Sequence, residues 1–181
     1  MLFTESELPG AYVIDLERHA DERGFFARAF CEREFAEHGL PARFPQANLS
    51  RNARSGTLRG MHFEAPPSAE SKLVRCVAGA IHDVILDLRP GSASYLKWTS
   101  ALLSAENGRA LFVPAGFAHG FITLADNTDV FYQMGDFFRP GGARGLRWDD
   151  PQLAIVWPAR PTVISERDAN YPDFDQSVLG A

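Results

Sequence analysis

The chain has 181 residues, 45% of them apolar, which predicts a single domain over residues 1–181 whose core needs no disulfide or structural metal. The formal net charge is −5 without any basic block, so neither nucleic acid nor an anionic membrane is expected as a partner. No run reaches the roughly 18–20 apolar residues that span a bilayer, and the N-terminus does not resemble a secretion signal, so we expect a cytoplasmic protein.

Short β-rich runs follow one another along the chain, separated by turn residues. We predict nine strands, at residues 12–16, 24–30, 57–63, 73–77, 81–88, 96–103, 109–113, 118–124 and 130–136. One helix is predicted at residues 32–38, closed by Gly39 and Pro41. Asn107-Gly108 predicts a tight hairpin, because both residues tolerate positive φ. From Pro158 onward we predict an irregular tail that wraps the strands.

Many short strands at close spacing favour an all-β sandwich or barrel with its ligand in the mouth. Two of these strands each deliver one histidine: residues 56–64 contain His62, and residues 108–119 end at His119. The second segment fits G-x5-P-x-G-x2-H, which is half of the signature of the cupin barrel. The fold class predicted here is therefore all-β, a cupin-type jelly-roll barrel with a few short helices.

Metal-binding cupins usually carry another histidine two positions after the first, and here that position holds Glu64. An incomplete ligand set predicts that an imidazole moves protons, with no metal and no cofactor. The alternative is a metal cupin that uses His62, Glu64 and His119 with water, because catalytic sites keep an open position. Cys31 and Cys76 fit no metal spacing, and we expect two free, buried thiols in a reducing compartment.

The strand around Gly60 raises a question of side-chain direction. Side chains alternate along a strand, so Arg59 and His62 should point to opposite faces. If both face one pocket, the strand must bend or bulge, and Gly60 is the predicted place.

Motifs along nearly the whole chain resemble the dTDP-4-dehydrorhamnose 3,5-epimerase family, which are non-metal cupins that act on nucleotide-linked 4-keto-6-deoxy sugars. The order and spacing of the motifs carry the resemblance, since each motif alone is weak. They are Asp21-Glu-Arg-Gly-Phe-Phe26, Gln46-Ala-Asn48-x-Ser50, Leu58-Arg-Gly-Met-His62, Lys72-Leu-Val, Asp83-Val-x-x-Asp-Leu-Arg89, Pro114-Ala-Gly-Phe-Ala-His-Gly120, Tyr132, Arg147-Trp-Asp-Asp-Pro151 and Ser165-Glu-Arg-Asp168.

The resemblance implies a set of catalytic residues for epimerisation next to a ketone. His62 would be the base, since the free pKa of histidine lies near neutrality. Asp168 would bond its other ring nitrogen, Lys72 would lie near the 4-keto oxygen, and Tyr132 would return a proton to the opposite face. His119 would contact the substrate. Each of these residues, taken alone, also fits ordinary packing or a surface charge.

The resemblance also implies a set of residues that bind the nucleotide diphosphate. Arg23, Arg59 and Arg167 would bind the phosphates, Gln46 and Asn48 would bind sugar and phosphates through their amides, and Phe138 would stack on the base. Two positions depart from the family: Arg28 and Ala143 stand where relatives commonly have acidic residues. These departures leave the carrier open between dTDP, GDP and CDP.

The predicted function is thus a nucleotide-sugar epimerase that inverts C3, C5 or both in a nucleoside-diphosphate 4-keto sugar. Which carbon is inverted stays open. The resemblance further implies a homodimer in which the N-terminal segment that holds Arg23 reaches the neighbour's site. A sugar-nucleotide-binding cupin without turnover is the non-enzymatic alternative.

Overall fold

The computed structural model describes residues 1–65 and 68–179. Within them the chain forms fourteen strands and two short α-helices. The strands are β1 (Leu2–Glu5), β2 (Tyr12–Asp15), β3 (His19–Asp21), β4 (Gly24–Phe26), β5 (Gln46–Asn52), β6 (Thr57–Glu64), β7 (Lys72–Ala78), β8 (Ala80–Asp87), β9 (Trp98–Ser104), β10 (Ala110–Val113), β11 (Phe117–Thr123), β12 (Thr128–Met134), β13 (Ala143–Gly145) and β14 (Val163–Ile164). The helices are α1 (Glu32–Glu37) and α2 (Glu166–Ala169), and a 3-10 helix spans Gln176–Leu179.

Two large sheets form the body of the molecule. The first has the strand order β1-β2-β10-β7-β12-β5, and the second has the order β13-β6-β11-β8-β9, with β14 beside β6. A buried cluster contains Val74 and Val130 from the first sheet and Ile85, Phe117 and Phe121 from the second. Apolar side chains of both sheets therefore share one core, and the all-β, jelly-roll prediction is confirmed.

All nine predicted strands and the predicted helix exist, with shifted ends. The strand predicted at residues 24–30 ends at Phe26. The sequence did not indicate β1, β3, β5, β13 and β14. The hairpin predicted at Asn107-Gly108 is wrong: β9 pairs with β8, whereas β10 pairs with β2 and β7. The Gly108 N–H still closes a turn onto the Ser104 carbonyl at 2.9 Å, but the chain crosses there from one sheet to the other.

The tail is more regular than predicted. Strand β14 pairs with β6 in parallel, with Val163 beside Thr57, and α2 follows directly, capped by the Ser165 hydroxyl, which accepts the Asp168 N–H at 3.1 Å. Further on, Phe174 is buried in a cluster with Met61 and Phe63 of β6. The tail therefore does pack against the barrel, and it carries Asp168 to the strand that holds His62.

Two other expectations can be compared with the described residues. Cys76 is buried and Cys31 half-buried, and both thiols are free, so the expectation of two buried thiols holds only for Cys76. No helix within residues 1–65 and 68–179 combines the length and the hydropathy needed to cross a bilayer.

Candidate active site

A cavity of about 360 Å³ opens between the two sheets. Its lining residues come from β5, β7 and β12 on one wall and from β6 and β11 on the other: Leu49, Ser50, Arg51, Arg59, His62, Lys72, His119, Phe121 and Tyr132. Five of the residues predicted from the sequence therefore meet here. Two larger clefts, of about 480 and 490 Å³, lie around Tyr95 and around Trp148, and none of the predicted residues lines them.

Gly60 lets Arg59 and His62 line the same cavity. In the pairing of β6 with β11, His62 lies opposite His119 and Arg59 lies opposite Phe121, so three steps along β6 face two along β11. Gly60 has φ +121°, a region that favours glycine. A Cβ there would lie 2.5 Å from the Gly120 Cα. The predicted bulge at Gly60 is confirmed, and it reverses the side-chain alternation between Arg59 and His62.

His62 forms a dyad with Asp168. The His62 Nε2 and the Asp168 Oδ1 are 2.8 Å apart, and the other carboxylate oxygen accepts the Gly60 N–H at 3.2 Å. Burial alone raises the pKa of Asp168, but hydrogen bonds from His62 and Gly60, together with nearby positive charge, hold it below its usual value. A carboxylate can only accept, so Nε2 carries the proton and the Nδ1 of neutral His62 keeps a lone pair.

A second imidazole in the cavity has a similar partner. His119 Nε2 lies 2.7 Å from the Asp83 Oδ1, and the Asp83 side chain is fully buried. The sequence singled out His119 but gave no role to Asp83. Its signal was a charge in the middle of the mostly apolar strand β8, since buried charges are rare unless they are paired.

Lys72 begins β7, and its ammonium group contacts the Glu70 carboxylate. Both side chains are largely buried, with 12% of Lys72 and 6% of Glu70 exposed. Lys72 is therefore not the solvated edge charge that such a position usually holds. Glu70 was not indicated by the sequence.

Tyr132 stands on β12 of the first sheet, whereas His62 stands on β6 of the second, so the two side chains enter the cavity from facing walls. Burial raises the pKa of the Tyr132 hydroxyl above its ordinary value, with Arg59 opposing the shift and Glu70 adding to it. The phenol therefore holds its proton throughout the neutral range.

Asp168 reaches the cavity through its contact with His62. The five remaining predicted residues do not line the cavity: Arg23, Gln46, Asn48, Phe138 and Arg167. The side chain of Arg23 is 85% exposed in the β3–β4 hairpin and pairs with Asp21. The Gln46 side chain accepts the Phe138 N–H, which brings these two together. Asn48 is exposed on β5. The Arg167 Nε lies 3.7 Å from the Asp168 Oδ1.

The geometry also bears on the metal-cupin alternative. Both histidines direct Nε2 at a carboxylate, His62 at Asp168 and His119 at Asp83. Across residues 1–65 and 68–179, no three or more His, Cys, Asp or Glu side chains are grouped as a metal ion would require.

Known proteins share both the sequence and the fold. A model of the dTDP-4-dehydrorhamnose 3,5-epimerase family matches residues 5–176. The chain belongs to this family. Epimerases are isomerases, so the family is one of enzymes. The chain is 44% identical to the dTDP-4-dehydrorhamnose 3,5-epimerase of Methanothermobacter thermautotrophicus, over 98% of this chain and 96% of that protein.

Solved structures of this family show the same fold. The Bacillus anthracis dTDP-4-dehydrorhamnose 3,5-epimerase, crystallised with TDP and PPi, has a TM-score of 0.92 at 37% identity and covers 96% of this chain and 99% of its own. ChmJ from Streptomyces bikiniensis, a 3'-monoepimerase in complex with dTDP-quinovose, has a TM-score of 0.86 at 29% identity, with coverage of 93% and 85%.

Proposed function

We propose that this chain inverts C3 and C5 of a dTDP-linked 4-keto-6-deoxy sugar by proton transfer through an enolate, as a single-domain cytoplasmic homodimer. The observation that carries the proposal is the His62–Asp168 dyad, which faces Tyr132 across one cavity. Membership of the epimerase family supports the reaction class.

In the first step, the Nδ1 lone pair of His62 takes the proton from the carbon beside the ketone. The C–H electrons form the new C=C bond of the enolate, and the negative charge moves to the former ketone oxygen. Asp168, held below its usual pKa, stabilises the imidazolium and keeps the ring in the required tautomer.

The enolate oxygen needs a positive partner in a place with little water. The largely buried Lys72 ammonium group would provide it, since preorganised charge at the site of developing charge is commonly the largest catalytic contribution. Tyr132 then donates its proton to the opposite face of the same carbon, which inverts the centre. His119, fixed by Asp83, would contact the sugar.

The nucleotide end needs cations and a stacking surface. Arg59 lines the cavity and would bind the diphosphate. Gln46, Asn48, Arg167 and Phe138 lie outside it and would bind the rest of the carrier.

Arg23 would serve the neighbouring subunit. Its hairpin carries Phe25 and Phe26 with 49% and 75% of their surface exposed, and such an apolar patch suits burial against a second copy.

Mixing two inactive variants tests this exchange. Arg23→Gln and His62→Asn should each be nearly inactive, but unfolding and refolding them together should restore about a quarter of the wild-type activity, because random pairing gives half heterodimers with one intact site each. The measurement is turnover of the mixture against each variant refolded alone. A mixture no more active than its parts contradicts the proposal that Arg23 acts in the partner's site.

A C3-specific epimerase is the second candidate, supported by the similarity to a 3'-monoepimerase. A carrier other than dTDP is supported by the two positions where relatives commonly have acidic residues. One holds Arg28, which pairs with Glu34 at 3.4 Å, and the other holds Ala143, which is exposed and carries no charge.

Solvent exchange tests the function directly. The purified chain is incubated in D2O with dTDP-, GDP- and CDP-linked 4-keto-6-deoxy sugars, and C3 and C5 are followed separately by NMR. We expect exchange and inversion at both carbons of the dTDP sugar. Inversion at C3 alone supports the monoepimerase, and preference for GDP or CDP changes the carrier. Binding without exchange would overturn the proposed enzymatic activity and favour a sugar-nucleotide-binding cupin. Loss of activity in a chelator, with recovery when a metal is added, would support the metal-cupin alternative.

Tyr132→Phe should retain deuterium exchange at one carbon and lose net inversion, because the base remains while the acid on the opposite wall is gone. The phenyl ring keeps the packing of this half-buried position. The same NMR measurement reports both quantities, and Tyr95→Phe, in a cleft outside the site, is the control that should behave like wild type. Unchanged inversion in Tyr132→Phe would remove its role as the acid.

A further inference from the structure

Asn52 lies beside the cavity, and both the NH2 group and the oxygen of its side-chain amide form hydrogen bonds. It ends β5, is 2% exposed, and its Nδ2 donates to the carbonyls of Thr128 at 3.1 Å and Ser50 at 3.2 Å. Its Oδ1 accepts from the Arg59 Nε at 2.8 Å. If the amide were flipped, its NH2 group would face the Arg59 N–H and its oxygen would face the two carbonyl oxygens. The orientation of the Asn52 amide is therefore fixed.

Arg59 has space on two sides. It lines the active-site cavity and also a neighbouring cleft of about 360 Å³ that Arg54, Thr57 and Val163 help to form. A long side chain between two open spaces samples many rotamers, and ordering it on binding costs free energy. The hydrogen bond to Asn52 restricts this freedom before any ligand arrives.

The hydrogen-bond partner of Arg59 is neutral, whereas several other arginines pair with carboxylates. Arg51 pairs with Asp129, Arg89 with Asp87 and Arg109 with Asp15. In the described parts of the chain, 1–65 and 68–179, the Arg59 side chain has no carboxylate within ion-pair distance, and its terminal nitrogens form no hydrogen bond. An amide holds Nε without cancelling the charge, and the four N–H groups of the two terminal nitrogens stay available for a bidentate anion.

We infer that Asn52 is a positioning residue that orients the Arg59 guanidinium toward the phosphates of the substrate while leaving its charge uncompensated. The inference rests on the proposed function, because the anion is the nucleoside diphosphate of that substrate.

The decisive variant is Asn52→Asp, which keeps the size of the side chain and an acceptor for Nε but adds a carboxylate. When ionised, this group neutralises Arg59 and faces two carbonyl oxygens. The pKa of a free aspartate is about 3.9, so the group is ionised at about pH 8 and affinity for the diphosphate should fall.

The test is the Kd of dTDP by isothermal titration at about pH 8 for wild type, Asn52→Asp, Arg59→Gln and the double variant. We expect Asn52→Asp to bind about tenfold more weakly than wild type, equal to about 1.4 kcal/mol. In the Arg59→Gln background the same change should have no effect, which a general structural defect would not reproduce.

Asn127→Asp is the matched control. Asn127 is exposed, and its Oδ1 also accepts from an arginine, Arg51, at 3.0 Å. Arg51 already pairs with Asp129, so an added surface charge should change the Kd less than about twofold.

The outcomes separate the two proposals. An Asn52→Asp Kd equal to that of wild type, or an equal loss without Arg59, overturns the positioning role and leaves the proposed function intact. If wild type binds none of dTDP, GDP and CDP, both fail. Should Asn52→Asp not fold, Asn52→Ser removes the restraint without a charge, and it should weaken binding only when Arg59 is present; equal binding by Asn52→Ser and wild type overturns the inference.

Discussion

His62→Asn is expected to lower turnover by about 10²- to 10⁴-fold, the usual contribution of a positioned general base. Asparagine has no group that accepts a proton at neutral pH, yet its amide can still donate to the Asp168 carboxylate. The barrel should therefore fold and bind nucleotide while deuterium exchange into the sugar stops. The measurements are steady-state turnover and exchange by NMR, together with the Kd of the nucleotide.

The matched control for this change is His38→Asn. His38 lies outside the cavity after α1, where its ring stacks on Phe3 with centroids 4.0 Å apart. Its replacement should leave exchange unchanged even if it lowers the free energy of unfolding. Exchange that persists at the wild-type rate in His62→Asn would show that another group removes the proton.

Gly60→Ala is expected to lower the free energy of unfolding by about 3 kcal/mol, combining backbone strain at positive φ with overpacking. The new methyl group would meet backbone atoms, 2.5 Å from the Gly120 Cα and 2.8 Å from the His119 carbonyl oxygen. Neither can rotate away as a side chain would. Urea unfolding measures the loss.

Gly24→Ala isolates the part of this effect that comes from the dihedral angle. Gly24 has φ +127°, close to the +121° of Gly60, but a Cβ there would meet nothing within 4 Å. We expect Gly24→Ala to cost about 1 kcal/mol. Equal losses in the two variants would mean that β6 and β11 move apart at Gly60 without cost. That result would contradict the overpacking expected from the close approach of the Gly120 backbone.

The fold was predictable where apolar runs carry the core. Strands such as β8 and β11 are almost fully buried, and burial on both faces gives a sequence signal that survives without tertiary knowledge. Strand β5 gave no such signal, because it is the edge of its sheet and most of its side chains are exposed. The hairpin prediction at Asn107-Gly108 failed for a different reason. Turn residues indicate where the chain reverses, but they do not indicate which sheet the next strand joins.

The site was predictable to the extent that family motifs mark it. His62, Lys72, Tyr132 and Asp168 were named from their order along the chain, and five strands and the tail bring the site residues together. The partners of the cavity residues were not predicted. Asn52 and Glu70 carry no signal in the sequence, Asp83 stood in a motif without a role, and the importance of all three lies in contacts that only the folded chain creates. The local residue pattern predicts strands and helices, whereas these side-chain contacts depend on how strands distant in sequence pair with each other.

The short parallel pairing of β14 with β6 has one more consequence. It joins only Val163 and Ile164 to the barrel, yet the carboxylate behind His62 follows it within a few residues. The tail is held on both sides of Asp168, by this pairing before it and by the buried Phe174 after it. A barrel without the attached tail would keep the His62 imidazole but would lose the carboxylate that decides which ring nitrogen carries the proton.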